Sequence, residues 1–93
     1  MLICLDYDNT YTADPELWNG FITMAQERGH SVIVATMRDA VLEGAIVKMD
    51  LEQRVSDIIF TNRKAKKPFL EKLGVHPDIW IDDIPEFITN SSR

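Results

Sequence analysis

An α/β domain with a mostly parallel four-stranded sheet is what this 93-residue sequence predicts, from three observations. Four short apolar runs, Leu2-Ile3-Cys4-Leu5, Val32-Ile33-Val34, Ile58-Ile59-Phe60 and Ile79-Trp80-Ile81, have the length of strands. Segments with helical periodicity separate them over short loops, the pattern of βαβ units with helices on both faces of the sheet. Val32-Ile33-Val34 is continuous rather than alternating, as a strand covered on both faces requires. Together these give a small three-layer sandwich of Rossmann-like type.

The elements follow in order. Leu2 to Leu5 is the first strand. Asp14-Pro15 starts the first helix, with Asp as N-cap and Pro at the first helical position, and Leu17, Trp18, Phe21, Ile22 and Ala25 recur at helical spacing until Gly29. Ser31 to Ala35 is the second strand. Asp39 caps an expected second helix with Val41, Leu42, Ala45, Ile46 and Met49 as its apolar face, weakened by Gly44 by about 1 kcal/mol relative to Ala. Asp57 to Phe60 is the third strand. Pro68 is expected to start a short helix carrying Phe69, Leu70 and Leu73, ended by Gly74 in the left-handed conformation. Ile79 to Ile81 is the fourth strand, and a last short helix begins near Pro85.

Composition restricts what such a domain does. At 93 residues the chain reads as one domain, 1–93, with one thin core and no room for a second catalytic or lid domain. Its 45% apolar and 27% charged content fit a folded globule. A net charge of -5 argues against a broad polynucleotide-binding surface, with Arg63, Lys64, Lys66 and Lys67 the local exception: either a solvated loop or a phosphate contact. Cys4 is the sole cysteine, which rules out an intrachain disulfide and a cysteine-based zinc site and suits a reducing compartment. No apolar run approaches the ~20 residues of a membrane span and no secretory signal is visible, so a cytoplasmic protein without a membrane partner is expected.

Chemistry collects at the strand ends. In parallel sheets the ligand crevice lies outside the carboxyl ends of the strands. There the sequence places Asp6 and Asp8, then Thr36, then the basic run, then Asp82-Asp83. Side chains two apart on an extended chain face the same way, so Asp6 and Asp8 are expected to aim at one point, which is costly unless a cation or a proton lies between them. Carboxylates from two strands suit one hard divalent cation, with Mg²⁺ favoured because it keeps waters or phosphate oxygens among its ligands.

The order Asp6-Tyr7-Asp8-Asn9-Thr10, Thr36, Lys, Asp82-Asp83 resembles the haloacid dehalogenase-like phosphohydrolase superfamily from Leu2 to about Phe87. The resemblance implies a Mg²⁺-dependent phosphomonoester hydrolase in which Asp6 is the nucleophile and forms an aspartyl phosphate. Asp8 would protonate the leaving oxygen and then deprotonate water, with a pKa raised by neighbouring carboxylates. The metal set implied is Asp6, Asp83 and the Asp8 backbone carbonyl, with Asp82 supporting them or positioning the lysine. Thr36 would bind a phosphoryl oxygen and Lys66 or Lys67 would offset its charge; spacing to Phe69 and Gly74, as in short relatives, favours Lys66. Thr10, Arg38 and Arg63 are read as substrate contacts, Arg38 alternatively as a surface arginine. His30, His76, Trp18 and Trp80 are read as structural.

The sequence departs from the family in lacking a cap, since only a helix and a strand separate successive motifs, and even the small hairpin after the first motif is reduced. An open site implies a large substrate or a second subunit as cover. A nucleotide or a short nucleic-acid terminus is the expected substrate, because the basic run can engage phosphates beyond the scissile one. Two other readings share parts of this pattern. A phospho-accepting receiver module has its acidic pair first and its phosphoacceptor mid-chain, the reverse of the order here. A catalytically silent, Mg²⁺-binding interaction domain of the same fold is the remaining alternative.

Overall fold

The continuous apolar runs pair as strands β1 (Leu2–Leu5), β2 (Ser31–Thr36), β3 (Asp57–Phe60) and β4 (Ile79–Ile81) in a computed structural model that describes residues 1–90. The sheet order is β3-β2-β1-β4 and every neighbouring pair is parallel. Leu5 lies between Val34 and Ile81, and Thr36 lies beside Phe60, so all four strands end at one edge. The chain winds from β1 through β2 to β3, then returns to the other side of β1. The switch in direction therefore falls between β1 and β4, where ligands bind in doubly wound sheets.

Period-two alternation along β1 sends Ile3 and Leu5 to one face and Cys4 to the other. On the first face they meet Val32, Val34, Ile22 and Ala25 of helix α1 (Pro15–Glu27), and Val47 and Leu51 of α3 (Ala45–Leu51). On the second, Cys4, Ile33, Ala35 and Ile59 pack on Leu70 of α4 (Lys66–Lys72), with Trp80 against them. These are the three layers expected. Burial pushes the Cys4 thiol up to about 12, so it is a core atom rather than a reactive one.

Helix α1 starts as its sequence dictates: Asp14 Oδ1 accepts from Leu17 N–H at 3.2 Å, Pro15 is at the first position, and Gly29 follows the helix at φ 86°. A single 3-10 turn, Tyr11–Ala13, takes the place of a hairpin between β1 and α1. Trp18 is half-buried against the first core, and His30 Nδ1 pairs with the N-terminal ammonium at 2.8 Å, at the amino ends of β1 and β2 and so opposite the carboxyl edge.

Two expectations need correction. The second helix is two helices, α2 (Ala40–Glu43) and α3, divided at Gly44, and its expected apolar face is turned outward: Val41, Leu42 and Met49 are 84–90% exposed. The break rotates α3 so that Val47 and Leu51 reach the core instead. Helix α4 starts at Lys66, not Pro68. A proline in the first turn removes an N–H that has no helical partner in any case, so it does not mark the first residue. Leu73 is exposed, and Gly74 ends the segment at φ 76° as expected. The final helix is α5 (Glu86–Thr89).

Candidate active site

Alternation continues one residue beyond β1. Asp6 stays extended, donating its N–H to Ile81 O at 2.9 Å, and points to the Cys4 face, toward the start of α4. Lys66, in the first turn of α4, meets it there: its Nζ lies 2.7 Å from Asp6 Oδ1 and 2.5 Å from Asp82 Oδ2. Side-chain exposure is 3% for Lys66, 9% for Asp6 and 3% for Asp82, so the ammonium is sealed between two carboxylates. Lys67 is exposed and turned away. Asp82 thus positions the lysine, and its second oxygen accepts from Ile84 N–H at 3.0 Å.

Asp83 completes the acidic cluster. Asp6, Asp82 and Asp83 each bring a carboxylate oxygen within 4.8 Å of the others. Thr10 is buried at its centre, its hydroxyl 3.1 Å from Asp6 Oδ2 and 3.2 Å from Asp83 Oδ1, while accepting from Asp83 N–H. It organises the acids rather than lining the hollow above them. Burial pushes the Asp6 carboxyl up to about 7, and the facing Asp83 and Asp82 carboxylates push the same way against Lys66. Burial alone would lower Lys66; its two carboxylate partners reverse this and hold its ammonium above the usual lysine range. With the Lys66 ammonium and Ile84 N–H on the other atoms, Asp6 Oδ2 and the Asp83 carboxylate, which share only the Thr10 hydroxyl, are the oxygens that could hold a cation. Such hard donors, two carboxylates beside an open hollow, fit Mg²⁺.

Asp8 does not join them. The chain leaves extended geometry at Tyr7, so the two-residue spacing no longer aligns Asp8 with Asp6. Both Asp8 oxygens are taken by Arg38, through Nε to Oδ2 at 2.9 Å and Nη2 to Oδ1 at 2.7 Å. The expectation that carboxylates surround Asp8 is replaced by a guanidinium. Arg38 Nη1 donates to the Glu43 carbonyl at 3.1 Å, and the guanidinium lies 5.3 Å from the Tyr7 ring centre.

A hollow of about 200 Å³ opens over these groups, lined among others by Asp6, Asp8, Thr36, Arg38, Arg63 and Lys66. Thr36 is 1% exposed and its Oγ1 accepts from Arg38 N–H at 3.3 Å. Arg63 reaches the rim from a turn in which Asn62 and Arg63 both have positive φ, at 50° and 66°, and it pairs with Glu43 at 2.7 Å. Lys64 lines a separate hollow with Phe69 and Lys72. His76 is exposed and outside the site.

Sequence reasoning missed Tyr7, Asp50, Glu43 and Asn9. Tyr7 is 1% exposed and its hydroxyl donates to Asp50 Oδ2 at 2.6 Å; burial and that carboxylate hold its pKa above the usual tyrosine range. Its place between two site aspartates, on the opposite side of the alternation, was the available signal. Asn9 turns the chain at φ 62°, a conformation Asn tolerates better than most residues. Nothing in the sequence separates Asp50 or Glu43 from ordinary helix-surface acids. No protein family, characterised protein or solved structure matches the chain. No helix among the described residues is long and apolar enough to cross a membrane.

Proposed function

We propose that the chain is a Mg²⁺-dependent phosphomonoester hydrolase working through an aspartyl phosphate, on a nucleotide or a short nucleic-acid terminus. The observation that carries this reading is Asp6: a buried carboxylate at the switch point of the sheet, held by the Lys66 ammonium on one oxygen and bordered by Asp83 on the other. In the first step an Asp6 oxygen attacks phosphorus, the bond to the leaving oxygen breaks, and that oxygen takes a proton from Asp8. In the second, water attacks the same phosphorus and gives its proton to Asp8, while the bond to Asp6 breaks and phosphate departs.

Asp6 and Asp83 would hold the cation, which supplies charge neutralisation for the phosphoryl oxygens. Lys66 shares that task and Thr36 orients one oxygen from below. Arg63 at the rim, with Lys64 and Phe69 beyond it, supports a substrate that extends past the scissile phosphate. A silent Mg²⁺-binding interaction domain is the second reading, and the Arg38 clamp on Asp8 is the observation that favours it.

The test is phosphate release from an aryl phosphate and a nucleotide panel, with Mg²⁺ and with chelator. Turnover should require the metal, and Asp6→Asn should abolish both turnover and beryllofluoride capture. Asp8→Asn should slow a poor leaving group by about 10²–10⁴-fold and a good one far less. Absence of metal-dependent release on every substrate decides for the silent domain.

A further inference from the structure

The ion pairs of Lys66 and of Arg38 both border the hollow, and burial separates them. The Lys66 pairs have side chains 3–9% exposed and are fixed parts of the core. In the Arg38–Asp8 pair the side chains are 25% and 46% exposed, so water and solutes reach it. Two charge-assisted bonds hold the exposed pair, yet water and anions reach it and can exchange with either partner, which a sealed pair does not allow.

Arg38 itself is held independently of Asp8. The Tyr7 ring lies beneath it, immobilised by burial, by its bond to Asp50 and by stacking on Tyr11 at 5.8 Å between ring centres. The Glu43 carbonyl holds Nη1, and Glu43 is fixed through its carboxylate by Arg63 and by Asp39 N–H. The guanidinium can therefore change its acidic partner without leaving its place. Its fork toward the hollow fits a phosphate in the same bidentate way as a carboxylate, and a phosphate dianion brings more charge.

We propose that Arg38 is a positioning residue for Asp8: an exchangeable latch that holds the Asp8 carboxylate in the free protein and releases it when a phosphoryl group takes its place. This rests on the phosphohydrolase reading for its purpose, though not for its detection. It gives an uncapped site what a closing lid gives others, assembly of the reactive set only when substrate is present.

The experiment follows the Arg38 Nε–H resonance in ¹⁵N-labelled protein with Mg²⁺ while inorganic phosphate is added. In the free protein the resonance should be shifted and exchange slowly, and Asp8→Asn should remove both properties. Phosphate should move the wild-type resonance saturably. In kinetics, Arg38→Met should raise KM about tenfold, as for loss of one charge-assisted contact. The kcat ratio between poor and good leaving groups should stay at the wild-type value, because Asp8 is then permanently free. A resonance unmoved by phosphate, or one unaffected by Asp8→Asn, overturns the latch, as does a collapse of the leaving-group ratio in Arg38→Met. If no substrate is turned over, the resonance still decides on the latch while the phosphohydrolase reading fails separately.

Discussion

Lys66 and Lys67 show how one step along a helix decides a role. Consecutive helical side chains point about 100° apart, so the first turn of α4 sends Lys66 between Asp6 and Asp82 and leaves Lys67 in water. Lys66→Met removes a buried cation from two buried carboxylates and should cost about 3–5 kcal/mol of stability as well as activity. Lys67→Met should stay within about 0.5 kcal/mol of the parent. Denaturant melts of the two variants check this; equal losses would contradict the geometry. The sequence narrowed the lysine to these two because both precede the same helix, and only spacing borrowed from relatives favoured one, since the helix start was misplaced at Pro68. Asp6, Thr36, Asp82 and Asp83 were legible because a strand end fixes both position and direction. Asp8 was half-legible: its place in the motif was read, its direction was not, because a turn begins at Tyr7 and the alternation stops there.

Among the elements, the α2–α3 segment is where pattern reasoning failed. Val41, Leu42, Ile46 and Met49 fit one face of one helix, yet Gly44 breaks the segment and all four remain more than half exposed. Gly44 has ordinary dihedrals, so its requirement is space: a Cβ there would lie 2.4 Å from the Ala40 carbonyl oxygen. Propensity treats Ala for Gly as a gain of about 1 kcal/mol in a helix. Here the backbone must shift instead, and Gly44→Ala should destabilise by about 1–3 kcal/mol, the usual cost of overpacking. Because α2 carries the Glu43 carbonyl that holds Arg38, the same variant should raise KM. Val41→Ser and Leu42→Ser, on the exposed side, should stay within about 0.5 kcal/mol. Thermal melts and KM on the four proteins test this; a stabilised Gly44→Ala would show that the close approach is not present in solution. The strands, by contrast, were read correctly, since continuous apolar runs of three or four residues suit strands in a sheet with helices on both faces.

At the scale of the whole molecule, the switch point concentrates negative charge in a chain whose net charge is already -5. Three carboxylates meet there with one ammonium between them. Folding buries Asp6 and raises it from the ordinary 3.8 to about 7. Between those values the native protein holds a proton that the unfolded chain has released. Stability attached to this group is therefore complete below about 4 and falls as pH rises through 7. In the proposed phosphohydrolase Mg²⁺ would need the same carboxylate ionised, so metal and proton would compete. The metal-free protein should lose thermal stability across this window, and added Mg²⁺ should raise Tm little on the acid side of 7 and increasingly above it. Asp6→Asn, neutral at every pH, should flatten that part of the stability curve and remove most of the Mg²⁺ response. Melting curves on both sides of pH 7, with Mg²⁺ and with chelator, measure the two effects together. Identical pH slopes for the parent and Asp6→Asn would mean that Asp6 is already ionised in the folded protein, and that Lys66 outweighs burial and the facing carboxylates.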